Sequence, residues 1–177
     1  MLDTPDRDLL ERFVSGDHDA FESLFRQLSV EVHRWIMRIV RDQAAADDVL
    51  VETFWRAYRG RARFDPSRSF GAWLRRIATN AALDELRAAH KRAGWGTTDD
   101  STPAPAGPDS AVAESIALAF RRLPPKLQVV ASLALIEEQP YAEIADALSL
   151  PLGTVKSRVS RATEALRKEL DRLGIRP

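Results

Sequence analysis

YAEIADALSLPLGTVKSRVSRATEAL, residues 141–166, is the stretch that decides the fold of this chain. Tyr141, Ile144, Ala145 and Leu148 recur at the spacing of one helix face, and Pro151 and Gly153 interrupt the pattern. Val155, Val159, Ala162, Leu166 and, just beyond the stretch, Leu170 then mark the inner face of a second helix. At about 100° per residue, Lys156, Ser157, Ser160 and Arg161 fall opposite that stripe. Two helices joined by a tight turn, the second with cations on its outer face, match a helix–turn–helix that lays its second helix in a major groove. Lys, Ser and Arg are side chains that contact phosphates and base edges there. Periodicity alone also admits a surface helix carrying ordinary solvated charge.

The rest of the chain narrows the class. Its 177 residues leave room for one large or two small domains. At 45% apolar residues it can bury a core, yet no apolar run approaches the roughly 20 residues that cross a bilayer. The start, MLDTPDRDLLERF, is acidic and lacks an apolar signal core, and the chain has no cysteine. These features exclude disulfides, thiolate metal sites and a cysteine nucleophile, and they predict a cytoplasmic protein without membrane insertion. The net charge of zero hides segregation: −6 over residues 1–55, +7 over 56–92, −4 over 93–120 and +3 over 121–177. Two basic segments, each beside an acidic one, point to two polyanion-contacting surfaces.

Helical periodicity is almost continuous and strand patterns are nearly absent, so the expected fold is all-α. Thr4-Pro5 reads as an N-cap and first helical residue, with Gly16 closing that short helix. A long helix follows over about 19–41, with Phe21, Leu24, Phe25, Leu28, Val32, Trp35, Ile36 and Ile39 inward. Others are expected over about 44–60 and 69–91, separated by the basic loop RGRARFDPSRS (59–69). Residues 93–110, rich in Gly, Pro, Ser, Thr and Asp, read as a flexible linker in which Trp95 is the one anchor. Helical pattern resumes near Ser110, breaks at Leu123-Pro124-Pro125, and returns from about 125 to 137 and on to about Leu173. The expectation is two small helical domains, 1–92 and 111–177, the second containing the helix–turn–helix. The short stretch after that helix predicts no appended sensor domain.

Four motifs in order carry a resemblance: ADDVLVETFWRAY (46–58), FGAWLRRIATNAALDELR (70–87), LP (123–124) and YAEIADALSLPLGTVKSRVSRA (141–162). Across nearly its whole length the chain resembles the extracytoplasmic-function (group IV) sigma factors of bacterial RNA polymerase. The resemblance implies a subunit that binds core RNA polymerase and promoter DNA, directs promoter-specific initiation and needs no cofactor. Many relatives also have an anti-sigma partner.

Asp48 and Glu52 stand one helical turn apart with Trp55 beside them, a protein-binding patch or a solvated acidic face. In similar proteins this segment docks on the clamp helices of the polymerase's largest subunit, which carries docking to Asp47, Asp48, Glu52 and Trp55. The family usually has glutamine where this chain has Val51. Projection turns Val51 toward the apolar arc, so one polar contact is expected to be lost.

On the next helix Phe70, Trp73, Leu74, Ile77 and Ala81 share a core arc, while Arg76, Thr79, Asn80, Leu83 and Arg87 share another. Arg, Asn and Thr in one stripe suit backbone and base-edge contact. The loop offers Phe64 among Arg61, Arg63 and Arg68, a place for an unstacked base. In similar proteins this loop and helix capture the melted −10 element. Asp84 lies nearer the core arc and is expected to orient a neighbour. The −35 duplex falls to Thr154, Lys156, Ser157, Ser160 and Arg161, with Arg158 bracing the motif or touching a phosphate. The family often has a larger side chain at Ser160. Asp99, Asp100 and Asp109 in the linker either mimic nucleic acid or simply add solubility.

Enzymatic chemistry finds no support. The paired carboxylates have no nucleophile or metal-ligand spacing beside them, and His18, His33 and His90 are scattered. The rival reading is an autonomous helix–turn–helix regulator. Such a protein would bind duplex DNA alone, usually as a dimer, and would need neither the acidic pair nor the basic loop.

Overall fold

A computed structural model describes residues 5–94 and 108–175, and among them there is no strand. The helices are α1 (Arg7–Ser15), α2 (His18–Val40), α3 (Gln43–Gly60), α4 (Phe70–Arg92), α5 (Pro108–Arg122), α6 (Pro125–Ala131), α7 (Tyr141–Leu148) and α8 (Leu152–Arg172). They form two compact units, one centred on α1–α4 and one on the helices from α5 onward. Thr4, Trp95, Asp99, Asp100 and the side chain of Asp109 lie outside the described residues.

In the first unit each junction is set by local chemistry. α1 begins at Arg7 with Asp6 at its N-cap, so Pro5 precedes the helix rather than opening it. It ends at Gly16, whose φ of +96° is the left-handed conformation that lets the chain reverse. Asp17 then caps α2 by accepting from the Asp19 and Ala20 N–H groups at 2.9 and 3.1 Å. Asp42 does the same for α3 through the Ala45 N–H at 2.8 Å. The α2 stripe Leu24, Leu28, Val32, Ile36 and Ile39 is buried as its spacing requires, whereas Phe21 and Phe25, one turn from its start, are only half-buried. α3 closes on it with Val49, Phe54 and Ala57, and α4 with Leu74, Ala78 and Ala82.

The second unit is built on small residues. Ala119, Leu123, Ala131, Ala162 and Leu166 form a core in which alanines let α5, α6 and α8 approach closely. Arg122 and Glu169, both mostly buried, form an ion pair between α5 and α8. α5 starts at Pro108, two residues before the expected Ser110. The helix expected over 125–137 keeps its extent, but its second half, Ser132–Ile136, widens into a π-turn. α7 ends at Ser149, with φ +52°, and the Leu150 N–H reaches back to the Ala145 carbonyl at 2.9 Å. Gly153 falls inside the first turn of α8, so the break belongs to Ser149–Pro151 alone. Tyr141 is exposed and does not share the inner face with Ile144 and Ala145.

Two outcomes follow from the α1–α2 junction. Gly16→Ala should destabilise the first unit by about 1–2 kcal/mol, because an L side chain resists positive φ; its Cβ would also meet the Arg61 guanidinium at 3.1 Å. A urea midpoint unchanged in the variant would show that the turn readjusts. The Arg12 side-chain hydrogen bond, aided by the Ala20 N–H, holds the Asp17 carboxyl below the usual carboxylate range. A depressed carboxyl stabilises the fold above the unfolded-state value and loses that contribution as pH falls through the folded value. The stability gap between wild type and Asp17→Asn should therefore narrow as urea titrations move below about pH 4, and a constant gap would contradict it.

Candidate protein- and nucleic-acid-binding faces

α3 sorts its residues sharply. Val49, Thr53, Phe54 and Ala57 face inward, and the buried Thr53 hydroxyl donates to the Val49 carbonyl at 2.7 Å. Asp47, Asp48, Val51 and Trp55 are exposed on the other side, with Glu52 partly exposed among them. Asp47 is tethered: His33 Nε2 lies 2.9 Å from its Oδ1, and Gln43 Nε2 donates to the same oxygen at 3.2 Å. Glu52 accepts from Arg56 Nε at 2.7 Å, and Arg59 approaches to 4.0 Å. Arg56 also donates to Asp84 at 2.8 Å, and hydrogen bonds to Glu52 first and Asp84 second raise its pKa. Asp84 thus orients a neighbour on α3. The four residues expected to dock do share one face.

Val51 corrects the projection. It is 65% exposed, not turned to the apolar arc. It sits two residues from buried Val49, or about 200° around the helix, so the two valines cannot face the same way.

On α4, Arg76 and Asn80 stand one turn apart on the exposed side, and Arg87 is exposed two turns further on. Arg63 and Arg68 are exposed in the preceding loop, where Arg68 lies 3.7 Å from Asp65. Three other expected contacts point inward. Thr79 is 5% exposed; its hydroxyl accepts from Trp35 Nε1 at 3.1 Å and donates to the Arg75 carbonyl at 2.9 Å. Phe64, also 5% exposed, packs in an aromatic cluster with Phe70 and Trp73 at 5.2 and 4.8 Å, so no ring is left for a base to stack on. Arg61 lies over the Tyr58 ring at 4.3 Å, donates to the Tyr58 carbonyl at 2.9 Å and fills the space beside Gly16. It braces the turn rather than reaching for DNA.

On α8, Lys156, Ser157, Ser160 and Arg161 are all exposed. Thr154 and Arg158 are half-buried at the edges of that face, and the Ser157 hydroxyl donates to the Thr154 carbonyl at 3.0 Å. A shallow cavity of about 410 Å³ continues the face past Ser160 to Thr163 and Arg167, with Tyr141 beside it. The sequence held the signal for this extension, since 156, 160, 163 and 167 recur at helical spacing. Among the described residues no cluster of His, Asp and Glu could hold a metal, and no helix is long and apolar enough to cross a membrane.

Comparison with known proteins matches the two halves separately. Residues 24–92 match the family model for Sigma-70 region 2, and residues 113–166 the one for Sigma-70 region 4. The chain is 35% identical over 170 residues to the RNA polymerase sigma factor CarQ of Myxococcus xanthus, covering 94% of this chain and 98% of that protein. It is 32% identical over 176 residues to the ECF RNA polymerase sigma factor SigW of Bacillus subtilis (strain 168), covering 91% and 94%. Among solved structures it resembles CnrH in complex with the cytosolic domain of CnrY, with a TM-score of 0.51 at 26% identity over 94% of this chain and 97% of that one. A likeness in fold extends to the sigma factor RpoE in complex with the anti-sigma factor NepR from Bartonella quintana, with a TM-score of 0.50 at 21% identity over 85% and 96%.

The split between Thr79 and Asn80 can be measured. Thr79→Val keeps the shape but strands the buried Trp35 N–H, and should cost about 1–3 kcal/mol in urea unfolding. Asn80→Ala should stay within about 0.5 kcal/mol of wild type, as for an exposed site. The reverse ranking would put Asn80 inside and Thr79 outside.

Proposed function

We infer that this chain, which belongs to the ECF group of the sigma-70 family of RNA polymerase sigma factors, is a specificity subunit that brings core RNA polymerase to its promoters. One observation supports the reading most. The first unit carries an acidic and aromatic face on α3 and a cationic and amide face on α4, so one rigid body can hold a protein and a nucleic acid together. An autonomous regulator has no need of the α3 face, and relatives that match almost the whole chain are named as sigma factors.

The roles follow from side-chain chemistry. Asp47, Asp48, Glu52 and Trp55 dock on core polymerase. Arg63, Arg68, Arg76 and Arg87 hold the phosphates of the melted −10 strand. Asn80, whose amide both donates and accepts, reads a base edge there. Lys156, Ser157, Ser160 and Arg161 enter the −35 major groove, while Thr154 and Arg158 sit at its margin. The protein performs no bond chemistry; nucleotide addition belongs to the polymerase, and the site of action is the cytoplasm. An anti-sigma protein that covers these faces would keep the subunit from core.

In vitro transcription by core polymerase on a promoter library tests the reading. Core alone should give no promoter-specific transcripts, and core with this chain should select a defined −35 and −10 pair. Absence of selection would refute it. If Arg161 reads a base, Arg161→Ala should cost about 1–3 kcal/mol on the preferred element and relax preference at one or two positions. If every sequence weakens alike and the salt dependence becomes shallower, Arg161 touches phosphate only.

A further inference from the structure

Between α2 and α3 lies an open groove of about 420 Å³ whose walls are Phe21, Phe25, Val51, Phe54 and Trp55. Its floor is preformed. Phe54 is buried and holds Phe25 at 4.8 Å and Phe21 at 6.4 Å, and Phe21 packs on Tyr58 at 5.0 Å. Its α3 wall is open, because Val51 is 65% and Trp55 51% exposed. Contiguous apolar surface of this kind marks an interaction site more than scattered apolar residues do.

The groove opens directly onto the docking face. Positions 47, 48, 51, 52 and 55 alternate acid and apolar along one stripe of α3, and Glu22 on α2 edges the opposite side. The charges alone are a poor source of affinity. Glu52 already has Arg56 and Arg59, Asp47 has His33 and Gln43, and Glu22 lies 3.5 Å from Arg26. Exposed pairs of this type contribute little and are screened by salt. Affinity at protein interfaces comes instead from an apolar centre sealed by a polar rim. An apolar slot between acidic edges fits an amphipathic helix with bulky apolar anchors one turn apart and Lys or Arg flanking them.

We propose that the groove is the energetic centre of the core-docking face, and that it seats apolar anchor side chains of the basic-flanked helix on core RNA polymerase that meets α3. The assignment rests on the proposed function and names the chemistry of the partner at that site. Val51, rather than the carboxylates, decides how tightly the partner is held.

The experiment is a titration of fluorescently labelled full-length chain with core RNA polymerase at low and high salt. Four proteins are compared: wild type, Val51→Gln, Val51→Leu and the double variant Asp48→Arg with Glu52→Arg. Val51 is exposed, so a matching urea midpoint confirms that each variant is folded. Val51→Gln should weaken binding about tenfold, equally at both salt concentrations, as loss of apolar burial requires. Val51→Leu should bind at least as well as wild type. The double variant should lose affinity mainly at low salt. Core affinity unchanged in Val51→Gln, with the double variant weakened, would overturn the groove assignment and leave the docking face standing. So would Val51→Gln weakening another protein, such as an anti-sigma factor, but not core. If neither variant affects core binding, the docking face itself is misplaced and the proposal falls with it.

Discussion

Burial of one apolar stripe, Leu24 to Ile39 on α2, is the constraint on which both working faces of the first unit depend. α3 and α4 each have to turn their apolar side to it. Once Val49, Phe54 and Ala57 are committed inward, helix geometry leaves Asp48, Val51 and Trp55 no choice but solvent. Once Leu74, Ala78 and Ala82 are committed, Arg76 and Asn80 are outward in the same way. A buried leucine or isoleucine of this kind contributes about 2–5 kcal/mol against truncation to alanine. The exposed side chains contribute little to folding and are left to function.

The fold was legible because its signals are periodic. Helix spacing, the Gly16 stop, the break before α6 and the turn at Ser149–Pro151 placed the helices to within about two residues, within ordinary fraying of helix ends. The faces were legible only where the helix is half-buried. α8 has one broad inner stripe, and the side chains expected outward on it are outward. α4 is covered over a wider arc, including Ala78 and Ala82, which no polar pattern announces. Thr79 is swept into that arc while Asn80, a further 100° on, escapes it. A threonine can accept that position because its hydroxyl finds both Trp35 and the Arg75 carbonyl.

The loop before α4 misled for a different reason. An aromatic among arginines reads equally as a base platform or as an anchor, and sequence pattern does not tell them apart. The chain there makes a single turn at Arg61–Arg63, and the Arg68 N–H returns to the Asp65 carbonyl at 2.9 Å. So short a connection brings Phe64 back onto Phe70 and Trp73, and apolar burial wins over exposure of a large ring. Arg61 follows the turn inward and serves it as a cation over Tyr58. What remains for the nucleic acid is cations and one amide.

The two faces are also joined by charge. Arg56 spans from Glu52 on the docking helix to Asp84 on α4, one turn beyond Asn80. Each bond is partly exposed and weak by itself, yet a guanidinium gripping two carboxylates fixes direction as well as distance. With the Trp35–Thr79 bond beneath it, α4 is held from the core side and from the surface side at once. A partner bound along α3 therefore meets an α4 whose Asn80 is already placed. Ordering costs that a loosely held reading helix would meet during strand capture are met instead when the domain folds.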